Sequence, residues 1–308
     1  MAKAKKRTFD KKLLFYCCLI AFPLLQYAVF YVYVNFNTIV LAFSSYDKVS
    51  NTSTFVGFKN FADVFNEFFH SQETVNFGIR FKNSVVNYLI TTVVGTGGSL
   101  FFSYYIYKKK IGGGLFKVIL FLPHVIPGIV LASIYRFSVD TGVVHIYNTL
   151  APESSRIASL LSDANTVYGT VLFYALFVGF GTQTMMYLGA MNKINPSITE
   201  AAELDGVSYM REFFSITVPC IFSTMATFLV VGLTSIFASD LGLYNFFSGN
   251  APGESQTLGY YLFRLTNGNK TNKAEWPFIA AIGLIFTVIV APITLGLRKL
   301  MNKVDPMN

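Results

Sequence analysis

Glu200, Glu203, Asp205 and Glu212 stand close together in the segment NPSITEAAELDGVSYMREFFSITVP, residues 195–219. Carboxylates in that arrangement offer an acidic outline that a basic protein surface can meet. Ala201, Ala202 and Gly206 lie among them and are small enough for a partner to approach the backbone closely. Asn195 suits a helix N-cap and Pro196 the first helical position. Gly206 suits a left-handed stop, and Ser208 the start of a second short helix ending near Pro219. The segment therefore predicts a polar helix–turn–helix between two long apolar runs. Connections of a few residues are the norm, so a structured knob of this length reads as a docking element. A solvated connector built from good helix formers would use the same Ala and Glu residues.

A second set of polar residues stands in or beside the apolar runs. Asn87, Gln183, Tyr187, Asp240, Tyr244 and Asn245 combine amides, a carboxylate and aromatic rings. Neutral polyols are bound by such groups, with amides and carboxylates on hydroxyls and ring faces on C–H patches. Ser84, Asn87, Thr91, Gly95 and Gly98 share one helical face by their spacing, a pattern that helix packing through small residues also produces. Asp240 reads as the only acid close to a membrane core, where ionisable groups are functional suspects. The stretch DLGLYNFFSGNAPGESQTLGYYLF, residues 240–263, adds Tyr260 and Tyr261, which fit a sugar surface and an interfacial aromatic belt equally.

Catalytic and metal chemistry find no constellation. The histidines, His70, His124 and His145, are far apart, with no H-E-x-x-H. Cys17, Cys18 and Cys220 lack metal-ligand spacing and read as small apolar fillers. No phosphate-binding G-x-x-x-x-G-K-[ST] loop is present. Gly112–Gly114 beside Lys108–Lys110 reads as a flexible turn. No cofactor is expected in this chain.

The elements that carry these groups are membrane spans. The chain has 308 residues, 53% of them hydrophobic and 13% charged, against about 25% charged in soluble domains. Six charge-free runs, 13–46, 83–107, 118–135, 164–192, 213–239 and 276–297, each approach or exceed the roughly 18–20 residues that cross a bilayer. The third is the shortest and is interrupted by Pro123 and Pro127. With the N-terminus inside, one face holds fifteen of the 24 basic residues against six of the 16 acids, a net of +9 that leaves −1 outside. Basic residues mark the cytoplasmic side, so both termini and the loops at 108–117 and 192–212 are placed there. The charge is spread over four loops of one face, which speaks for membrane orientation and against nucleic-acid binding. The first apolar run far exceeds a signal-peptide core and has no A-x-A site, so it reads as a retained anchor. Asn51 and Asn269 head N-x-[ST] triplets in outside loops.

The pattern Glu200-Ala201-Ala202, Gly206, Ile216 and Pro219 resembles the EAA loop of ABC importer permeases. The flanking ELDG and FFSITVP look most like the carbohydrate branch, the maltose and glycerol-3-phosphate type. Leu122-Pro123 and Ile126-Pro127 resemble the same family, which often has Trp where His124 stands. The resemblance implies an all-α integral membrane protein of about six transmembrane helices, with a cytoplasmic coupling-helix (EAA) loop between the fourth and fifth. Residues 81–301 would form the permease core, with the EAA loop at 195–219. Residues 1–80 would supply the basic N-terminus, first span and extracytoplasmic segment, and 302–308 a cytoplasmic tail. Glu200, Ala201, Ala202, Glu203, Asp205 and Gly206 would couple to an ATPase. Asn87, Gln183, Tyr187, Asp240, Tyr244 and Asn245 would line the substrate path. Implied partners are a second homologous permease subunit, two ATP-binding cassette subunits carrying ATP and Mg, an extracytoplasmic solute-binding protein, membrane lipid and a carbohydrate, an oligosaccharide above all. The setting implied is a bacterial plasma membrane. A secondary transporter and a membrane-embedded enzyme are the alternatives; the first needs an intramembrane charge relay, the second clustered catalytic groups.

Overall fold

A computed structural model describes residues 11–47, 52–70, 77–268 and 273–305. The basic N-terminal ten residues, Asn51 and Asn269 lie outside them. The helices are α1 (Phe15–Ala42), α2 (Lys59–His70), α3 (Phe77–Tyr107), α4 (Gly113–Val125), α5 (Gly128–Leu150), α6 (Val167–Met191), α7 (Pro196–Leu204), α8 (Tyr209–Cys220), α9 (Phe222–Thr234), α10 (Leu243–Phe247), α11 (Leu258–Gly268) and α12 (Trp276–Val304). Strands β1 (Ser44–Asp47) and β2 (Thr52–Phe55) form an antiparallel hairpin with Ser44 opposite Phe55. The expectation of an all-α membrane protein with about six spans holds. Among the described residues five helices are long and apolar enough to cross a bilayer, and the bent pair α8–α9, taken as one span, makes a sixth.

Two departures concern the third span. The apolar run 118–135 is divided between α4 and α5. Pro127 has no N–H to donate, and Ile126 before it is extended (φ −81°, ψ 134°), so the helix stops and restarts. The restarted helix α5 continues well past Tyr135, to Leu150, and carries Asp140. Asp240 is therefore not the only acid near an apolar span. The Asp140 carboxylate accepts hydrogen bonds from the Ser159 hydroxyl (2.8 Å) and the Leu160 amide (3.0 Å), which satisfies it locally.

The chain forms two compact units. The first contains residues 1–65 and 271–285. Its helix α1 exposes apolar side chains all round, among them Phe22, Phe30 and Tyr33. The hairpin is anchored by Asn60, whose amide donates to the carbonyls of Ala42 (2.8 Å) and Ser44 (2.7 Å). Phe43 gathers Phe55, Phe58 and Phe61 around it.

The second unit contains residues 66–270 and 286–308. Helix α6 is its axis. At one end Val167, Val171 and Tyr174 pack with Leu131, Leu243, Phe246 and Tyr260. At the other, Tyr187 and Met191 pack with Leu100, Tyr104, Phe213 and Ile221. Small residues let α3 lie close to α6: the Ser103 hydroxyl donates to the Thr184 carbonyl at 2.8 Å, the close packing typical of membrane helices. Within α3, residues 91–96 widen into a π-helical turn.

Candidate functional site

The helix–turn–helix takes the local form that its residues dictate. The Asn195 side chain accepts from the Ser197 amide at 3.1 Å and caps α7, with Pro196 in the first turn. Gly206 adopts φ +69°, a conformation that costs other residues roughly 1–2 kcal/mol. Ser208 is extended and α8 begins at Tyr209. The helix ends at Cys220, just past Pro219, and the chain bends by 69° into α9.

Glu200, Ala201, Glu203, Asp205 and Gly206 are exposed on this knob, and Ala202 faces inward. Leu204 is 89% exposed, and Tyr209, Met210 and Phe214 are also open to the surface. Exposed apolar groups grouped with acids on a protruding turn are what a protein partner buries. The acidic pattern does not single out Leu204; its signal in the sequence is a large apolar residue between Glu203 and Asp205.

The second site is a cavity of about 220 Å³ among α3, α6 and α9 and the turn after α9. Asn87, Thr91, Thr92, Thr96, Gln183, Ser235 and Ser239 line it, with the Tyr88 and Phe228 rings. No charged side chain is among its lining residues. The Asn87 amide donates to the Ser239 hydroxyl at 3.3 Å, while its carbonyl oxygen Oδ1 is buried with no hydrogen-bond partner. A buried orphan acceptor is costly unless something donates to it. The Gln183 carbonyl oxygen accepts from the Ser99 hydroxyl at 3.4 Å. The cavity thus presents hydroxyls and amides, the chemistry that binds a neutral hydroxylated molecule.

The remaining predicted path residues lie elsewhere. Tyr187 is fully buried, edge-on to the Phe228 ring. Asp240 accepts from the Gly242 amide at 3.0 Å. Tyr244 packs against Phe263, and Asn245 is exposed beside Gly128. Tyr260 is buried, accepting from the Ala251 amide at 2.9 Å and donating to the Ser248 carbonyl at 3.2 Å. Tyr261 lies beneath the Arg80 guanidinium, 4.1 Å from its ring centre. The Asn83 amide donates to the carbonyls of Glu254 (2.7 Å) and Gln256 (2.9 Å). Residues 248–261 are thereby packed onto the start of α3, an arrangement that the sequence reading, which gave Arg80 and Asn83 no role, did not anticipate. His124 lies 3.2 Å from the Thr182 hydroxyl.

A chain of membrane-spanning helices with a capped polar knob between two of them and a polar cavity in its midst is built as a transport subunit. The model of the binding-protein-dependent transport system inner membrane component family matches residues 76–306, and the chain belongs to that family. It is 25% identical over 282 residues to the probable ABC transporter permease protein YurN of Bacillus subtilis, covering 90% of this chain and 92% of that one. It is 23% identical over 238 residues to the sn-glycerol-3-phosphate transport system permease protein UgpA of Yersinia pseudotuberculosis, covering 77% and 78%. Its fold is that of a chain in the crystal structure of a bacterial alginate ABC transporter in complex with an alginate pentasaccharide-bound periplasmic protein. There the TM-score is 0.76 at 19% identity, covering 98% of this chain and 99% of the other.

Proposed function

We propose that this permease carries a carbohydrate, an oligosaccharide in particular, across a bacterial plasma membrane, with α7 and α8 as the element that docks its ATPase. The observation that carries the reading is the knob itself: a capped helix, a left-handed Gly206 and an 89% exposed Leu204, set between two spans. Glu200, Ala201, Glu203, Asp205 and Gly206 are its contact residues, and the buried Ala202 seats α7 on the chain beneath it. A second homologous permease and two ATP-binding subunits, which hold the ATP and Mg, complete the membrane complex. An extracytoplasmic binding protein delivers the substrate. Residues 81–301 act as the core, 1–80 supply the anchor and outer segment, and both termini face the cytoplasm.

The hydroxyl- and amide-lined cavity, with no charged lining residue, supports a neutral sugar, whereas the substrates named for the relatives, sn-glycerol-3-phosphate and the acidic polysaccharide alginate, are anions and share with it only their hydroxylated character. Alternating access follows when ATP favours one state of the complex and the loaded binding protein another. The carboxylates near the spans, Asp140 and Asp240, each accept local hydrogen bonds. That argues against the charge relay of a secondary transporter.

The test is reconstitution with the sister permease and ATPase in vesicles. Labelled oligosaccharide should enter only with ATP and binding protein. Uptake driven by an ion gradient without ATP would overturn the reading.

A further inference from the structure

We infer that Lys108 is a positioning residue that locks the docking knob to α3, so that movement of the knob reaches the polar cavity through that helix. This rests on the proposal that α7 and α8 dock the ATPase.

Lys108 is the first residue beyond α3. Its ammonium lies 3.1 Å from a Glu203 carboxylate oxygen in α7 and 2.7 Å from one of Glu212 in α8. One cation thus joins the core helix to both helices of the knob. The contact is interior on one side and open on the other. The side chains of Lys108 and Glu212 are 9% and 2% exposed, that of Glu203 65%. Burial alone would lower the Lys108 pKa, but the Glu212 and Glu203 carboxylates against its ammonium more than offset that, and the pKa lies above the ordinary lysine value. The lysine therefore stays charged at physiological pH.

Three neighbouring contacts follow the same line. The Tyr104 hydroxyl donates to the Tyr209 carbonyl at 3.2 Å. The Phe101 ring stacks on Phe213 with centres 4.8 Å apart. The Lys110 ammonium sits 3.8 Å from the Tyr209 ring centre. Further back in the same helix, around its middle, Asn87, Thr91 and Thr96 line the cavity. An exposed ion pair yields readily. A buried one does not, because separating it strands a charge away from water. A displaced knob therefore draws α3 with it instead of shedding Glu212.

The experiment uses the full permease with its sister subunit and ATPase in vesicles, and reads sugar imported per ATP hydrolysed. A cysteine at Leu204, cross-linked to the ATPase, reports docking separately. Lys108→Met alone leaves the buried Glu212 carboxylate without its cation, so the decisive variant is Lys108→Met with Glu212→Leu, which removes both charges. It should keep the cross-link and lose about tenfold or more in sugar per ATP, while Lys108→Arg retains coupling. A wild-type ratio in the double variant overturns the inference. So does a double variant that fails to assemble where Lys108→Arg assembles, since the pair would then serve stability alone. Absence of the cross-link in the otherwise wild-type complex removes the docking reading itself, and this inference with it.

Discussion

Gly181 lies directly against the carbonyl of Leu120, so closely that a methyl group on its α-carbon would overlap that peptide group. The contact sets the spacing of α6 and α4, and no side chain can turn away to relieve it because the obstacle is backbone.

Gly181→Ala should therefore destabilise the protein by about 1–3 kcal/mol, the usual cost of overpacking. Gly179, in the same helix, has open space where its Cβ would be. Gly179→Ala should be neutral or stabilising by up to about 1 kcal/mol, from helix propensity. Thermal unfolding of the two variants in detergent gives the comparison, and equal midpoints would refute the close crossing.

Asn87 and Gln183 both line the polar cavity, and the Asn87 Oδ1 is buried without a hydrogen-bond partner. Each hydrogen bond to a sugar hydroxyl is worth about 0.5–1.5 kcal/mol net. Asn87→Ala and Gln183→Ala should each lower uptake by roughly tenfold or less, while binding-protein-stimulated ATPase activity persists in part. Tyr244→Ala and Asn245→Ala, outside the cavity, should change uptake less. The reverse ranking would move the sugar path to residues 240–261.

Gly206 has nothing of its own chain within reach of a Cβ, so strain and the partner decide the effect of a substitution there. Gly206→Val must hold a β-branched residue at φ +69°, at a cost of about 1–2 kcal/mol. The variant should insert normally and either release the ATPase or lose sugar uptake. Wild-type uptake by Gly206→Val combined with Glu200→Ala would count heavily against this loop as the docking site.

Orientation is checked by labelling. In a background lacking Cys17, Cys18 and Cys220, a cysteine at Asn267 should react with an impermeant reagent in intact cells, and one at Ser197 should not. Reaction at Ser197 would reverse the topology.

What could be read from the chain was local. Asn195, Pro196 and Gly206 each act within one turn of helix, so the knob was legible from residues 195–219 alone. Span positions followed from apolar runs for the same reason. The third shifted because Arg136 ends the charge-free run at Tyr135 with Asp140 just beyond, whereas the helix continues past both, and Ser159 and Leu160 supply the Asp140 hydrogen bonds from a later segment. The cavity was half legible: Asn87 and Gln183 stand out as amides in apolar runs, but helical spacing does not tell that Tyr187 faces Phe228 in the core. Tyr260 and Tyr261 read equally as sugar-facing or interfacial aromatics, because Arg80, Asn83 and Ala251, which explain their burial, are distant or nondescript in sequence. Lys108 read only as a topology charge. Its partner Glu212 lies more than a hundred residues on, beyond the reach of any spacing rule.

The π-helical turn at 91–96 has a geometric consequence. It sets the angular phase between the half of α3 that bears Asn87 and the half that leads to Lys108. Each residue of an α-helix turns it by about 100° and advances it about 1.5 Å. Deleting one residue from this stretch would mend the wide turn, yet rotate everything beyond it by that angle. Ser99 and Ser103 would leave α6, and the Lys108 ammonium would swing away from Glu212, with every side chain still present. Length in this one turn is therefore as much a determinant of the machine as any residue identity in it.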